Sequence, residues 1–153
     1  MTHLLPQYRR RQTGFTLIEV AIILSVIGII ALVSLPVYQQ IQPNISLNSE
    51  IREIVSNLRY AQQLSVTEQK KYGIVFNQGS NNYALKNTDT GSIIKNFEIR
   101  SQITIADISG FTDNTVIFNV AGAVLESGTI TITNLQNEQN IIEIKPSGYV
   151  KIK

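Results

Sequence analysis

Few side chains in this sequence are equipped for chemistry, and the shortage narrows the field. There is no cysteine, and His3 is the one histidine. A thiol nucleophile, the usual general base at neutral pH and the commonest transition-metal ligands are therefore scarce or missing. No glycine-rich phosphate loop, serine elbow or paired carboxylates occur. Asp107 and Asp113 flank Ser109-Gly110, which admits a calcium site, although Asp and Gly at such spacing are ordinary turn formers. The expectation is a chain that is not an enzyme and needs no cofactor and no metal. One acid nevertheless stands out. Glu19 is the sole charge in a 23-residue, mostly apolar run over residues 15–37. A carboxylate near the start of a spanning helix costs on the order of 2–3 kcal/mol on insertion scales, so Glu19 calls for a partner or a function.

The element that must carry Glu19 is a membrane helix. Roughly 20 apolar residues, rising about 1.5 Å each, cover a bilayer core of about 30 Å. Arg9, Arg10 and Arg11 precede the run, and no lysine or arginine follows until Arg52. That asymmetry puts the N-terminus in the cytoplasm and the remainder outside. A secretory signal peptide has a shorter apolar region, about 7–15 residues, with its cleavage site after it. A plain single-pass anchor has no use for Gly14 or Glu19 where they stand. Ser25, Gly28, Ala31 and Ser34 recur every third residue and permit close approach of a second helix. Pro36 removes a backbone hydrogen bond and is expected to kink the helix, with Pro43 adding a bend or a restart.

Gly14-Phe15-Thr16-Leu17-Ile18-Glu19, behind the three arginines and ahead of Pro36, resembles the type III signal of the type IV pilin and pseudopilin superfamily. The resemblance implies that a membrane-embedded aspartic peptidase cuts between Gly14 and Phe15 and then N-methylates Phe15. It also implies that Glu19 meets the freed amine of a neighbouring subunit during assembly. Opposite charges about 4 Å apart attract by about 4 kcal/mol at an effective dielectric of 20, enough to favour assembly and set the stagger between subunits. The implied partners are other pilins or pseudopilins, the peptidase/methyltransferase, an inner-membrane assembly platform, and membrane lipid before assembly. The implied location is the cytoplasmic membrane, with the head outside, and then the filament. Residues 1–14 are read as a leader. Removing them takes three arginines, His3 and no acid, so a formal charge of +2 becomes −1. That leaves no general electrostatic case for nucleic acid.

Residues 15–43 are thus read as the transmembrane and assembly helix. Over 44–71 a helical stripe follows, with Leu47, Ile51, Ile54, Val55, Leu58, Ala61 and Leu64 on one face. Ser49, Arg52, Glu53, Ser56, Arg59 and Gln63 line the other. Lys70 and Lys71 suit the C-terminal end of such a helix. From residue 72 the period falls to two, and short strands are expected at 72–77, 83–86, 93–99, 103–108, 115–119, 124–125, 129–133, 141–145 and 149–152. The alternation of Ile130, Ile132, Ile142 and Ile144 with Thr131, Thr133, Glu143 and Lys145 predicts antiparallel pairing with one buried face. The fold class is α+β: a long N-terminal helix, half transmembrane and half amphipathic, packed on an antiparallel β-rich head over 72–153, pilin-like.

Three further stretches are similar to the GspH/FimT group of minor pilins and pseudopilins. They are Leu58-Arg59-Tyr60-Ala61-Gln62 leading to Lys71-Tyr72-Gly73-Ile74-Val75-Phe76, then Gly128-Thr129-Ile130-Thr131-Ile132, and Gly148-Tyr149-Val150-Lys151-Ile152. The resemblance makes the chain a structural subunit of a type IV pilus or a type II secretion pseudopilus. Some members of that group bind DNA near the C-terminus, so the alternative is a DNA-capturing minor pilin used in transformation. Lys145, Lys151 and Lys153 would then touch phosphates, although lysines on an outer strand are ordinarily edge protection.

Overall fold

A computed structural model describes residues 14–153, except for the side chains at 33, 35–37 and 39–41. Residues 1–13, most of the expected leader, lie outside the described residues. The chain divides into two compact units, Met1–Gln39 and Gln40–Lys153.

One helix, α1, spans Leu17–Glu68, so both expected helical stretches fall within a single element. Pro43 leaves it uninterrupted. Pro36 lies inside it, but its side chain is outside the described set, and so the kink is an expectation from sequence. From Phe15 to Leu32 every side chain is exposed, Phe15 at 77%. Among the described residues no helix is long and apolar enough to cross a membrane. Side chains of the apolar run are described without a break only as far as Leu32.

In the second unit the helical stripe is buried as the spacing predicts. Leu47, Ile51, Ile54, Val55, Leu58 and Ala61 are all in the core. A fully buried Leu or Ile is worth roughly 1.5–3 kcal/mol, so packing of this face, more than intrinsic propensity, holds the helix. The helix stops at Glu68, three residues before the expected end at 71, which leaves Lys70 and Lys71 beyond its last turn. Local hydrogen bonds explain the early stop. Gln69 takes a left-handed φ of 53°, and its side-chain amide donates to the Val66 carbonyl at 2.7 Å. The Lys71 N–H donates to Asp89 Oδ2 at 2.9 Å, and the Tyr72 N–H to Ser65 Oγ at 3.1 Å.

Eight strands follow: β1 Tyr72–Asn77, β2 Asn82–Asn87, β3 Ile93–Glu98, β4 Ile103–Ser109, β5 Thr115–Phe118, β6 Gly128–Asn134, β7 Gln139–Ile144 and β8 Val150–Ile152. They form two four-stranded sheets, in the orders β3-β2-β1-β5 and β4-β6-β7-β8, and every pairing is antiparallel. The expected strand at 124–125 is absent; Val124 makes only an isolated bridge to Phe118. One hydrophobic core joins the helix stripe to both sheets, taking Tyr72, Ile74, Phe76, Tyr83, Leu85, Val116 and Phe118 from the first. From the second it takes Ile103, Ile105, Ile130, Ile132, Ile142, Ile144 and Val150. The expected alternation holds, and Ile130, Ile132, Ile142 and Ile144 all point inward.

Candidate assembly site and C-terminal basic face

At the start of α1 the chain enters the helix through Thr16. Its hydroxyl accepts the Glu19 N–H at 3.3 Å, and its carbonyl accepts the N–H groups of Glu19 at 3.1 Å and Val20 at 3.2 Å. Thr16 is therefore the N-cap, and Glu19 stands three residues on, in the first turn. Thr-x-x-Glu is the spacing of a capping box, and a carboxylate there is favoured by the helix dipole by about 0.3–1 kcal/mol. The role of Thr16 was readable from this spacing alone. Glu19 is exposed, as are Gly14 and Phe15, which precede the helix.

Among the described residues no neighbour asks for a glycine at position 14. A Cβ built there meets no atom within 4 Å, and its φ is not in the left-handed region. The same open space surrounds Gly28. Ser25 and Ser34 donate to the carbonyls of Ala21 and Ile30, each at 2.8 Å, so both hydroxyls are satisfied within their own helix.

At the other end of the chain, Lys145, Lys151 and Lys153 come together around an acid. Glu143 pairs in register with Lys151, and Lys153 Nζ approaches its Oε2 at 3.1 Å. The hydrogen bond from Lys153 holds the Glu143 carboxyl below its ordinary range. Partial desolvation opposes this, and the charges of all three lysines assist it. Tyr149 shares that face, since the Lys145 N–H donates to its carbonyl at 2.9 Å, and it is 58% exposed. The alternation that places the lysines on this face places Tyr149 there too.

Asp107 and Asp113 stand on different elements. Asp107 lies on β4 opposite Thr131. Asp113 sits at φ 52° in a short 3-10 turn, Thr112–Asn114. Among the described residues no three His, Cys, Asp or Glu groups converge on a metal position. A different acid holds that turn, because Glu126 accepts hydrogen bonds from the N–H and hydroxyl of Thr112 at 2.6 and 2.8 Å.

Residues 9–35 match the family model described as the prokaryotic N-terminal methylation motif. The fold matches solved structures of a minor pilin and a minor pseudopilin. The type IV minor pilin FimU of Pseudomonas aeruginosa aligns with a TM-score of 0.59 at 15% identity, over 74% of this chain and 91% of that one. The minor pseudopilin EpsH of the type 2 secretion system of Vibrio cholerae aligns with a TM-score of 0.57 at 13% identity, over 72% and 95%. The N-terminal motif is a methylation motif, and the fold is shared with a solved minor pilin and a solved minor pseudopilin. No curated protein matches by sequence. The chain's α+β architecture, a long helix and two antiparallel sheets, is the fold of these two solved structures.

Proposed function

We propose that this chain is a minor pilin or pseudopilin, a structural subunit of a type IV pilus or type II secretion pseudopilus. It is cut between Gly14 and Phe15, N-methylated on Phe15 and polymerised through α1, with Glu19 meeting the Phe15 amine of a neighbouring subunit. The apolar run over residues 15–37 anchors it in the cytoplasmic membrane until assembly, with the head outside. The observation that carries this reading is a helix half whose described side chains are all exposed and almost all apolar, with one carboxylate in its first turn. Such a surface is unfinished in a lone chain. Open space around Gly14 among the described residues, and its exposure, agree with the cleavage assignment.

Mass spectrometry of membrane-extracted protein should find Phe15 as the first residue, carrying one methyl group; any other first residue sinks the proposal. Gly14→Val should leave the leader attached. Glu19→Ala should insert into membranes normally yet fail to enter filaments, and unaltered incorporation would exclude the charge pairing.

The DNA-capturing alternative draws on one observation, three lysines and an exposed tyrosine on a single face. Engagement of Lys153 by Glu143 weakens it, and the structural role is the reading preferred.

A further inference from the structure

The end of the head unit from which the apolar helix issues presents a hairpin tip of unusual make-up. β7 starts beside helix residue Asn48, where the Asn140 side-chain amide donates to Asn48 Oδ1 at 3.3 Å. It leads to a turn at Ser147–Gly148 that lies beside Gln62. The β6–β7 hairpin therefore projects toward the Gln40 end of this unit. The connection after β3 marks the same end, with Arg100 Nε 3.6 Å from Glu50 Oε2.

Asn134 ties the tip together. Its Oδ1 accepts the N–H groups of Gln136 and Glu138 at 3.0 Å each, its amide donates to Glu138 Oε2 at 2.9 Å, and its carbonyl accepts the Asn137 N–H at 3.1 Å. The polar groups of this turn are thus used internally, while Leu135 at its apex is 71% exposed. Ile45, one turn before Asn48 on the same side of the helix, is 62% exposed. Two large apolar side chains therefore stand out at the end where the chain continues into residues 15–37.

We propose that Leu135 and Ile45, both at this end of the head, rest in the interface of a phospholipid bilayer while the subunit waits in the membrane, so that the head is seated on lipid before extraction. The inference rests on the membrane-anchored reading above. Chain continuity argues for lipid as the occupant. Three helical residues separate Gln40 from Val37, about 4.5 Å of rise, so the end bearing Leu135 is the end from which the chain continues into the apolar run. An exposed apolar residue on a rigid turn suits the headgroup boundary, where its side chain leaves water without stranding a polar group.

The chain has no cysteine, so Leu135→Cys, Leu125→Cys and Ile27→Cys each provide one attachment point for an environment-sensitive fluorophore. Leu125, 54% exposed, is the far-end control, because its N–H donates to Ile117, which pairs with Gly73 just past the end of α1. The full chain is placed in vesicles of phosphatidylethanolamine and phosphatidylglycerol. Expected are a blue-shifted emission at 135, quenching by spin-labelled lipid, and protection from aqueous iodide several-fold greater than at 125. Equal iodide access at 135 and 125, with lipid quenching at 27, overturns the lipid contact and leaves the anchor standing. Absence of lipid quenching at 27 removes the anchor, and the contact with it. Shielding at 135 that appears only after assembly with sibling pilins assigns the tip to a protein partner and also overturns the proposal.

Discussion

Burial of Glu50 at 1% exposure puts a carboxylate inside the packed face of α1, offset only by a half-exposed Arg100. Removal from water raises its pKa, Glu53 raises it further, and Arg100 opposes both. An acid whose folded pKa is raised contributes stability that is full below the unfolded pKa and is lost as pH rises through the folded value. Glu50→Gln should therefore melt at or above the parent at pH 7, with the gap closing as pH falls toward the ordinary carboxylate range near 4. A lower melting temperature at pH 7 would mean that the ion pair outweighs the desolvation. Glu126 acts in the opposite sense, because the Thr112 hydrogen bonds lower its pKa. Its contribution is present above the unfolded pKa and is lost as pH falls through the folded one. Glu126→Gln should cost stability at neutral pH and nothing in acid; a deficit that persists in acid would refute this assignment. Of the two, Glu50 was legible in the sequence. It lies three residues after Leu47 and four before Ile54, the spacing of the stripe itself. Glu126 was not, because its partner Thr112 lies on a turn that no local pattern announces.

Element boundaries depend on single hydrogen bonds, and that is where the helix end and the sequence reading part. Ser65 donates to the Ala61 carbonyl at 2.9 Å and accepts the Tyr72 N–H at 3.1 Å, both in the buried interior. Ser65→Ala strands the Tyr72 N–H without its acceptor and should cost about 1–3 kcal/mol, read as a lower denaturant midpoint at unchanged slope. A second joint lies at Gly148, where φ is 81° and an added Cβ would come within 2.1 Å of the Gly122 carbonyl oxygen. Gly148→Ala should destabilise the head by roughly 2 kcal/mol or more, with amide exchange accelerated first in β7 and β8. Strand existence was readable throughout, because period-two patterning survives in 72–77, 129–133 and 141–145. The division into two sheets was not readable. It depends on which strands pair across long connections, as β1 does with β5. The segment at 124–125 is β-rich in composition, yet only Val124 finds a bridge partner.

At the scale of the molecule, the helix stripe and both sheets share one core within Gln40–Lys153. A fragment starting at Gln40 should therefore unfold in one cooperative transition. Near-neutral formal charge and the Glu143–Lys153 pair predict that this fragment gives no salt-dependent shift of duplex DNA. A shift that falls with salt and disappears in Lys145→Ala with Lys151→Ala would instead support the uptake role. Burial on one side of the chain was legible from periodicity alone. The exposed half of α1 was legible as apolar from the run over residues 15–37.

The cap at Thr16 bears on how such a subunit matures. Because α1 takes its first hydrogen bonds from Thr16, the proposed scission between Gly14 and Phe15 would cut none of the helix's hydrogen bonds. Three guanidinium groups would depart and one ammonium would arrive beside a first turn that Thr16 caps. Processing of that kind would alter the charge at the head of the helix and not its winding.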